Sequence, residues 1–366
     1  MRRLPLAALL AATLPLAACG GDSDGAGASP TAAPDAETTE TASTSAVKVK
    51  TIASRLDVPW GITFLPGGDA LVAERTTGDV VRIPKDGGTA KKVMAVPGVD
   101  TDAGEGGLLG LALSPTYKQD KLVYAYFTSS GDNRIVRFKL GGTPQPVLTG
   151  LKRGFIHNGG RIAFGPDGKL YAGVGDTGDT DLPQDRGSQN GKILRMNPDG
   201  SVPSDNPFAG SRVYSLGHRN VQGLAWDGKG RMWAAEFGQN TFDEVNRIRA
   251  GNNYGWPNVE GRGSTDGGKY TNPAKTWRTS DASPSGIAIR GGKLYMAALQ
   301  GKGIWRMTIR SGSTLGTPKL LYGGRWGRLR TVVKAPGRGL WVATSNTDGR
   351  GQPQSGDDHI YRVPAS

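Results

Sequence analysis

The sequence predicts an all-β protein, a six-bladed β-propeller with four-stranded antiparallel blades. Three observations carry that expectation. A strand pattern recurs six times, turn residues stand at a fixed place within the repeat, and no long stretch shows helical periodicity.

The first strand of the repeat reads GITF from Gly61, GLAL from Gly110, RIAF from Arg161, GLAW from Gly223, GIAI from Gly286 and TVVK from Thr331. The second reads ALVAE (70–74), LVYAYF (122–127), LYAGVG (170–175), MWAAEF (232–237), LYMAAL (294–299) and LWVATS (340–345). Between them lie PGGD (66–69), PDGK (166–169), DGKG (227–230) and RGGK (290–293), which suit tight hairpins. The third strand is the clearest marker, with arginine at its centre: VVRIP (80–84), IVRFK (135–139), ILRMN (193–197), VNRIR (245–249), IWRMT (304–308) and IYRVP (360–364). These arginines read as structural groups pairing at blade surfaces. Six units over residues 48–366 average about 53 residues each, enough for four strands and an insertion. Residues 47–53 (VKVKTIA) are expected to close the ring as the outer strand of the last blade.

The chain before the repeats has a different composition. Residues 1–19 begin with Arg2 and Arg3, continue as a short apolar run and end at Cys19, the single cysteine. The run is too short for a membrane span and reads as a signal peptide. Cys19 directly after Leu16-Ala17-Ala18 resembles the bacterial lipobox, where cleavage precedes a cysteine that carries lipid; an incidental thiol after an ordinary signal is the alternative. Residues 20–47 lack bulky apolar side chains before Val47 and read as a disordered tether. The expected place of the domain 48–366 is the extracytoplasmic face of the cell membrane. One cysteine also excludes a disulfide framework and a multi-thiolate zinc site.

The formal charge is +13, with 45 Lys and Arg against 32 Asp and Glu. The basic residues are scattered, with no basic run or aromatic–basic stacking motif, so nucleic acid is not the expected partner. An anionic ligand or lipid headgroup suits the balance better.

Strand register places a site. The start of a first strand lies beside the end of its antiparallel second strand, so both positions in every blade should face one mouth of the channel. Before first strands stand Glu105, His157, Arg219, Asn220, Asp281, Arg328 and Arg330; at second-strand ends stand Glu74, Asp176, Glu236 and Gln300. Asp176 is placed to hold one ring nitrogen of His157, leaving the other to accept a proton; a capped loop histidine is the bland alternative. Arg219, Arg328 and Arg330 would clamp carboxylates of a ligand, or else form ion pairs between blades.

The segments HNGGRIAFGPDGKLYAGVGD (157–176), LGHRNVQGLAW (216–226), AEFGQNTFDEVNRIRAGNNYGWP (235–257) and GEGGLLG (104–110) resemble the PQQ-dependent sugar dehydrogenases of the glucose/sorbosone dehydrogenase family. The resemblance implies a six-bladed propeller that oxidises an aldose, polyol or related alcohol and passes electrons to an external acceptor. It implies His157 as general base, Asp176 as its orienting carboxylate, and Glu105, Arg219, Asn220, Arg328 and Arg330 around the cofactor. It further implies Ca2+, with Gly238 offering a backbone carbonyl beside PQQ, and Glu244 and Tyr254 at a second, structural ion. Gln300 stands where a basic residue is common, with Lys302 nearby to compensate. Phe237, Gln239 and Asp281 also depart from the glucose-oxidising pattern. Two other functions stay open on the sequence: a non-catalytic binding propeller, and a metal-dependent lactone hydrolase using Glu74, Glu105 and Glu236.

Overall fold

Alternating apolar residues with β-branched and aromatic side chains make each repeated segment a strand, and short Gly/Asp turns force consecutive strands to pair. The computed structural model describes residues 48–365. Among them, six four-stranded antiparallel sheets form in chain order. From the inner strand outward, the first blade is Pro59–Phe64, Ala70–Glu74, Asp79–Ile83 and Lys91–Ala95. The second is Leu108–Leu113, Val123–Thr128, Asn133–Phe138 and Gln145–Leu151. The third is Ile162–Phe164, Leu170–Val174, Lys192–Met196 and Val213–Leu216. The fourth is Val221–Trp226, Met232–Glu236, Phe242–Ile248 and Lys275–Arg278. The fifth is Pro284–Arg290, Lys293–Ala298, Gly303–Thr308 and Lys319–Leu321. The sixth is Leu329–Lys334, Leu340–Thr344, Ile360–Val363 and, outermost, Lys50–Ala53.

The inner strands contact one another in sequence, and the sixth returns to the first, so the six sheets form a propeller. Closure uses the strand foreseen for it: Lys50 pairs with Arg362, Thr51 with Tyr361 and Ala53 with Ile360. The hairpin turns repeat as well. In the first, third and fourth blades, a glycine at positive φ (Gly68, Gly168, Gly230) returns the chain, and its N–H donates to the carbonyl three residues back.

The core lies between blades. Trp341 and Ile360 of the sixth blade pack with Ile62 and Val72 of the first, while Leu71 and Val80 of the first pack with Leu108 and Val123 of the second. The third-strand arginines stand opposite second-strand aromatics in five blades: Arg137 opposite Tyr124, Arg195 opposite Tyr171, Arg247 opposite Trp233, Arg306 opposite Tyr295 and Arg362 opposite Trp341. Arg82 and Arg195 form ion pairs within their blades, to Asp69 and to Asp167 and Asp205. Arg137 reaches the Pro198 carbonyl of the next blade. Their role is structural, as the repeat suggested.

The proposed signal peptide (1–19), lipid-bearing Cys19 and tether (20–47) lie outside the described residues. Among the described residues, no helix is long and apolar enough to cross a membrane.

Candidate active site

Seven predicted rim residues meet in one cavity of about 520 Å³: Glu105, His157, Arg219, Asn220, Gln300, Arg328 and Arg330. Phe237 joins them on its wall. The loop before the third inner strand is pinned from several blades. The His157 N–H donates to Glu105 Oε2 (3.0 Å) and the Gly159 N–H to Asn220 Oδ1 (3.1 Å). His157 itself takes a positive φ of 54°, and a Cβ at Gly175 would fall 1.8 Å from its carbonyl oxygen. The missing side chain of Gly175, just past strand Leu170–Val174, thus lets the histidine loop lie on the sheet. Glu105 and Asn220 hold backbone here, a positioning role alongside the ligand contact expected of them.

Asp176, 1% exposed, lies directly behind the imidazole. His157 Nδ1 donates to Asp176 Oδ1 at 2.7 Å. Gly178 N–H donates to the same oxygen at 2.9 Å, and Trp256 Nε1 donates to Oδ2 at 2.9 Å. An ionised carboxylate only accepts, so Nδ1 carries the proton and Nε2 keeps its lone pair for the cavity. Nothing in the sequence pattern singled out Trp256; it lies in the NYGWP segment, eighty residues from its partner.

The cavity wall carries five arginines, since Arg75 and Arg350 join the expected three, against two carboxylates, Glu105 and Asp348. Asp348 Oδ2 accepts from Arg328 Nη2 (3.0 Å) and Arg330 Nη2 (3.2 Å), and Glu105 Oε1 pairs with Arg350 at 2.8 Å. Arg330 Nη1 also donates to Gln222 Oε1 at 2.9 Å. Burial opposes ionisation of Asp348, but Arg330 and Arg328 outweigh it and hold the carboxyl below its usual range. Burial pushes Arg330 down to about 10, and lowers Arg75 and Arg219 as well. The buried Nε atoms of Arg75 and Arg330 have no hydrogen-bond partner. Positive charge therefore exceeds what the protein itself neutralises. Arg75 follows Glu74, and Asp348 follows the second strand of the sixth blade, so extending the strand-end rule by a few residues would have found both.

Other rim candidates turn away. Glu74 is buried at the end of its strand, where it accepts the Asp57 N–H; Glu236 is taken by His218 Nδ1 and the Arg219 N–H. Asp281 is exposed and accepts from Ser280, and Lys302 lines a neighbouring cavity rather than this one. The register argument placed their backbones correctly but could not see which neighbours would capture the side chains. The carboxylate triangle needed for a lactone hydrolase is thus not formed: of Glu74, Glu105 and Glu236, only Glu105 reaches the cavity. Ser215, His218 and Glu236 form a hydrogen-bonded row resembling a nucleophile relay. Ser215 and His218 are wholly buried, so no substrate reaches them, and the row fixes the Arg219 backbone instead.

Beneath that row, Asn246 Nδ2 donates to both Glu236 Oε1 (2.8 Å) and Glu244 Oε2 (2.9 Å). Burial, reinforced by Glu236, pushes the Glu244 carboxyl well above its usual range. Asn246 Oδ1 is buried with no partner. Two buried carboxylates that share one amide group are hard oxygen donors of the kind a calcium ion takes. The Tyr254 ring stacks on His218 at 4.8 Å, which brings Tyr254 to the same region. Gly238 lies apart, its N–H given to Asp243 Oδ1, and Phe237 rather than Gly238 faces the cavity.

Comparisons agree with this architecture. The family model described as glucose/sorbosone dehydrogenase matches residues 56–360. A PQQ-bound aldose sugar dehydrogenase from Streptomyces coelicolor is 52% identical, with a TM-score of 0.82 over 86% of this chain and 98% of that one. Quinoprotein glucose dehydrogenase B of Acinetobacter calcoaceticus is 34% identical across 66% of this chain, and the match spans only 59% of that relative. Aldose sugar dehydrogenase YliI of Escherichia coli is 27% identical, covering 83% of this chain and 91% of the relative.

Proposed function

The chain belongs to the glucose/sorbosone dehydrogenase family, and from that membership we propose that it is a quinoprotein that oxidises a hydroxyl of an aldose or related polyol. The observation that carries the reading is the His157–Asp176 pair, 2.7 Å apart, at an arginine-rich cavity. The S. coelicolor structure, named as PQQ-bound, supports PQQ as the cofactor. PQQ bears three carboxylates, and the unpartnered Nε atoms of Arg75 and Arg330 are donors suited to such a ligand. Arg219, Arg328 and Arg330 would hold it, with Glu105 and Asn220 keeping the histidine loop in place. When bound, the cofactor supplies a quinone carbonyl that accepts hydride.

The protein's own contribution is proton chemistry. His157 Nε2 takes the proton of the substrate hydroxyl, and Asp176 stabilises the imidazolium that results. Trp256 and Gly178 fix Asp176, so the base does not reorient between turnovers. Glu244 and the carbonyl of Tyr254 would hold a structural calcium that relieves the buried Glu236–Glu244 repulsion. A calcium ion held by the Gly238 carbonyl would rest on the family resemblance alone, since Phe237 rather than Gly238 faces the cavity. An external electron acceptor, lipidation of Cys19 and residence on the extracytoplasmic membrane face complete the proposal, the last two from residues 1–19 alone.

Purified protein reconstituted with PQQ and calcium should reduce an artificial dye in the presence of aldoses. His157→Ala should lower kcat by about 10²–10⁴ while the bound-cofactor absorption persists. Undiminished turnover in that variant, or no spectral change when PQQ is added to the wild type, would refute the assignment.

A further inference from the structure

Three large apolar side chains stand exposed among the described residues: Val49 at 36%, Leu320 at 39% and Phe155 at 75%. Single exposed apolar groups are ordinary on a protein surface. The place of Phe155 is not ordinary. It lines the arginine-rich cavity, which Val49 and Leu320 do not, and it precedes the proposed base His157 by two residues.

The segment that carries Phe155 is fixed from several sides. Asn158 closes a turn around it: Nδ2 donates to the Gly154 carbonyl at 2.8 Å, and Oδ1 accepts the Gly154 N–H at 3.0 Å. The Phe155 carbonyl accepts the Glu105 N–H at 2.9 Å, and Glu105 Oε2 in turn accepts the His157 N–H. One part of the ring lies against Gly104, where a Cβ would fall 2.7 Å from the ring atom Cδ2. The backbone that holds His157 therefore also holds Phe155, while most of the ring stays open to solvent.

Polarity changes with depth in this cavity. Arg75 and Arg330, the donors suited to the cofactor's carboxylates, are buried, whereas Phe155 is largely exposed and belongs to the rim. A ligand that enters above the cofactor meets that rim. A pyranose with equatorial hydroxyls has a polar edge and two faces of axial C–H groups. Such a ligand suits a wall of charged groups with an aromatic ring at its lip. Two residues of chain span at most about 7 Å, the scale of one pyranose ring.

We propose that Phe155 is a specificity-determining residue, the platform on which the substrate's pyranose ring lays one C–H face while its reacting hydroxyl meets His157. The proposal rests on the dehydrogenase reading and deepens it. Axial hydroxyls at C2 and C3 point to opposite faces of the ring, so D-mannose and D-allose each spoil a different face of D-glucose. One of the two should lose the benefit of Phe155, and the other should keep it.

Steady-state kinetics of the full chain with PQQ, calcium and an artificial dye tests this, beside saturation-transfer difference NMR of the same sugars without the dye. Phe155→Ala should raise the KM for D-glucose about threefold to tenfold, and Phe155→Tyr should restore it. The rise falls on KM because the ring holds ground state and transition state alike. In the NMR experiment, transfer to the glucose protons of one face, either H1, H3 and H5 or H2 and H4, should be lost in Phe155→Ala and kept in Phe155→Tyr. An unchanged glucose KM, a rise shared equally by glucose, mannose and allose, or a loss confined to kcat would each overturn the platform. A shift in PQQ affinity or in the KM for the dye, with the sugar KM unmoved, would give the ring to the cofactor or the acceptor and overturn it too. The two readings fail separately: contact with Phe155 without turnover would sink the dehydrogenase, and turnover without that contact would sink the platform alone.

Discussion

Asp176 decides which nitrogen of His157 serves the cavity, and that choice rests on three hydrogen bonds rather than on charge alone. An amide in its place offers one accepting oxygen where the carboxylate accepts from His157, Gly178 and Trp256. Asp176→Asn should therefore lower kcat by about 10²–10⁴ by releasing the imidazole tautomer, with cofactor affinity nearly unchanged; steady-state kinetics beside a PQQ titration separates the two. Glu74 makes the opposite case, a buried carboxyl in no ion pair, with only a weak pull from Lys92. Burial, only partly opposed by the Asp57 N–H, pushes it up to about 6. The folded form thus holds its proton more tightly than the unfolded chain, so stability is greatest below the usual carboxylate pKa and falls as pH rises through about 6. Glu74→Gln removes that loss. At pH 8 the variant should be more stable than wild type by about 1–2 kcal/mol, with no advantage at pH 4, as read from denaturation midpoints. Sequence alone located both carboxylates at strand ends. It set Asp176 behind His157 but revealed neither Trp256 nor Asp57, the partners that other parts of the chain supply.

Elements were the most legible level. Repetition multiplied a weak strand signal by six, and the turn chemistry fixed each hairpin. What the repeat concealed is why the first strand so often carries glycine. A Cβ on Gly110 would stand 2.2 Å from the Gly160 carbonyl of the third blade, and one on Gly223 would stand 2.4 Å from the Ser285 carbonyl of the fifth. These positions are where one blade's inner strand touches the next, so the missing side chain sets the spacing between blades. Gly110→Ala should destabilise by about 1–3 kcal/mol, because backbone on both sides must move. Gly228→Ala, in a turn with no atom within 4 Å of the new Cβ, should stay within about 0.5 kcal/mol of wild type. Chemical denaturation of the pair tests whether crowding between blades, rather than loss of glycine itself, is responsible. Asp348 and Arg75 escaped the strand-end rule for a related reason: the chain overshoots the last ladder pair before turning, and side chains just past it still reach the channel.

At the scale of the ring, one interaction joins the two ends of the repeat region. The sixth blade takes three strands from the C-terminal part of the domain and its fourth, Lys50–Ala53, from the start. The junction extends past the ladder: Leu56 and Asp358 exchange backbone hydrogen bonds, and the Gly88 N–H donates to the Ile52 carbonyl, tying the closing strand to the first blade. Ile52 is 2% exposed, and fully burying such a side chain stabilises by about 1.5–3 kcal/mol. Removing residues 48–53 would also uncover the edge of strand Ile360–Val363, a row of free N–H and C=O groups open to pairing with another chain. The shortened protein should lose about 2–4 kcal/mol in denaturant unfolding and self-associate with rising concentration in sedimentation velocity. Because Arg330 rides on the inner strand of this same blade and Arg328 directly precedes it, the loss should also weaken PQQ binding, although no deleted residue lines the cavity. An unchanged unfolding midpoint together with monomeric behaviour would show that three strands suffice to close the sixth blade, and that the ring is held by its inner contacts alone.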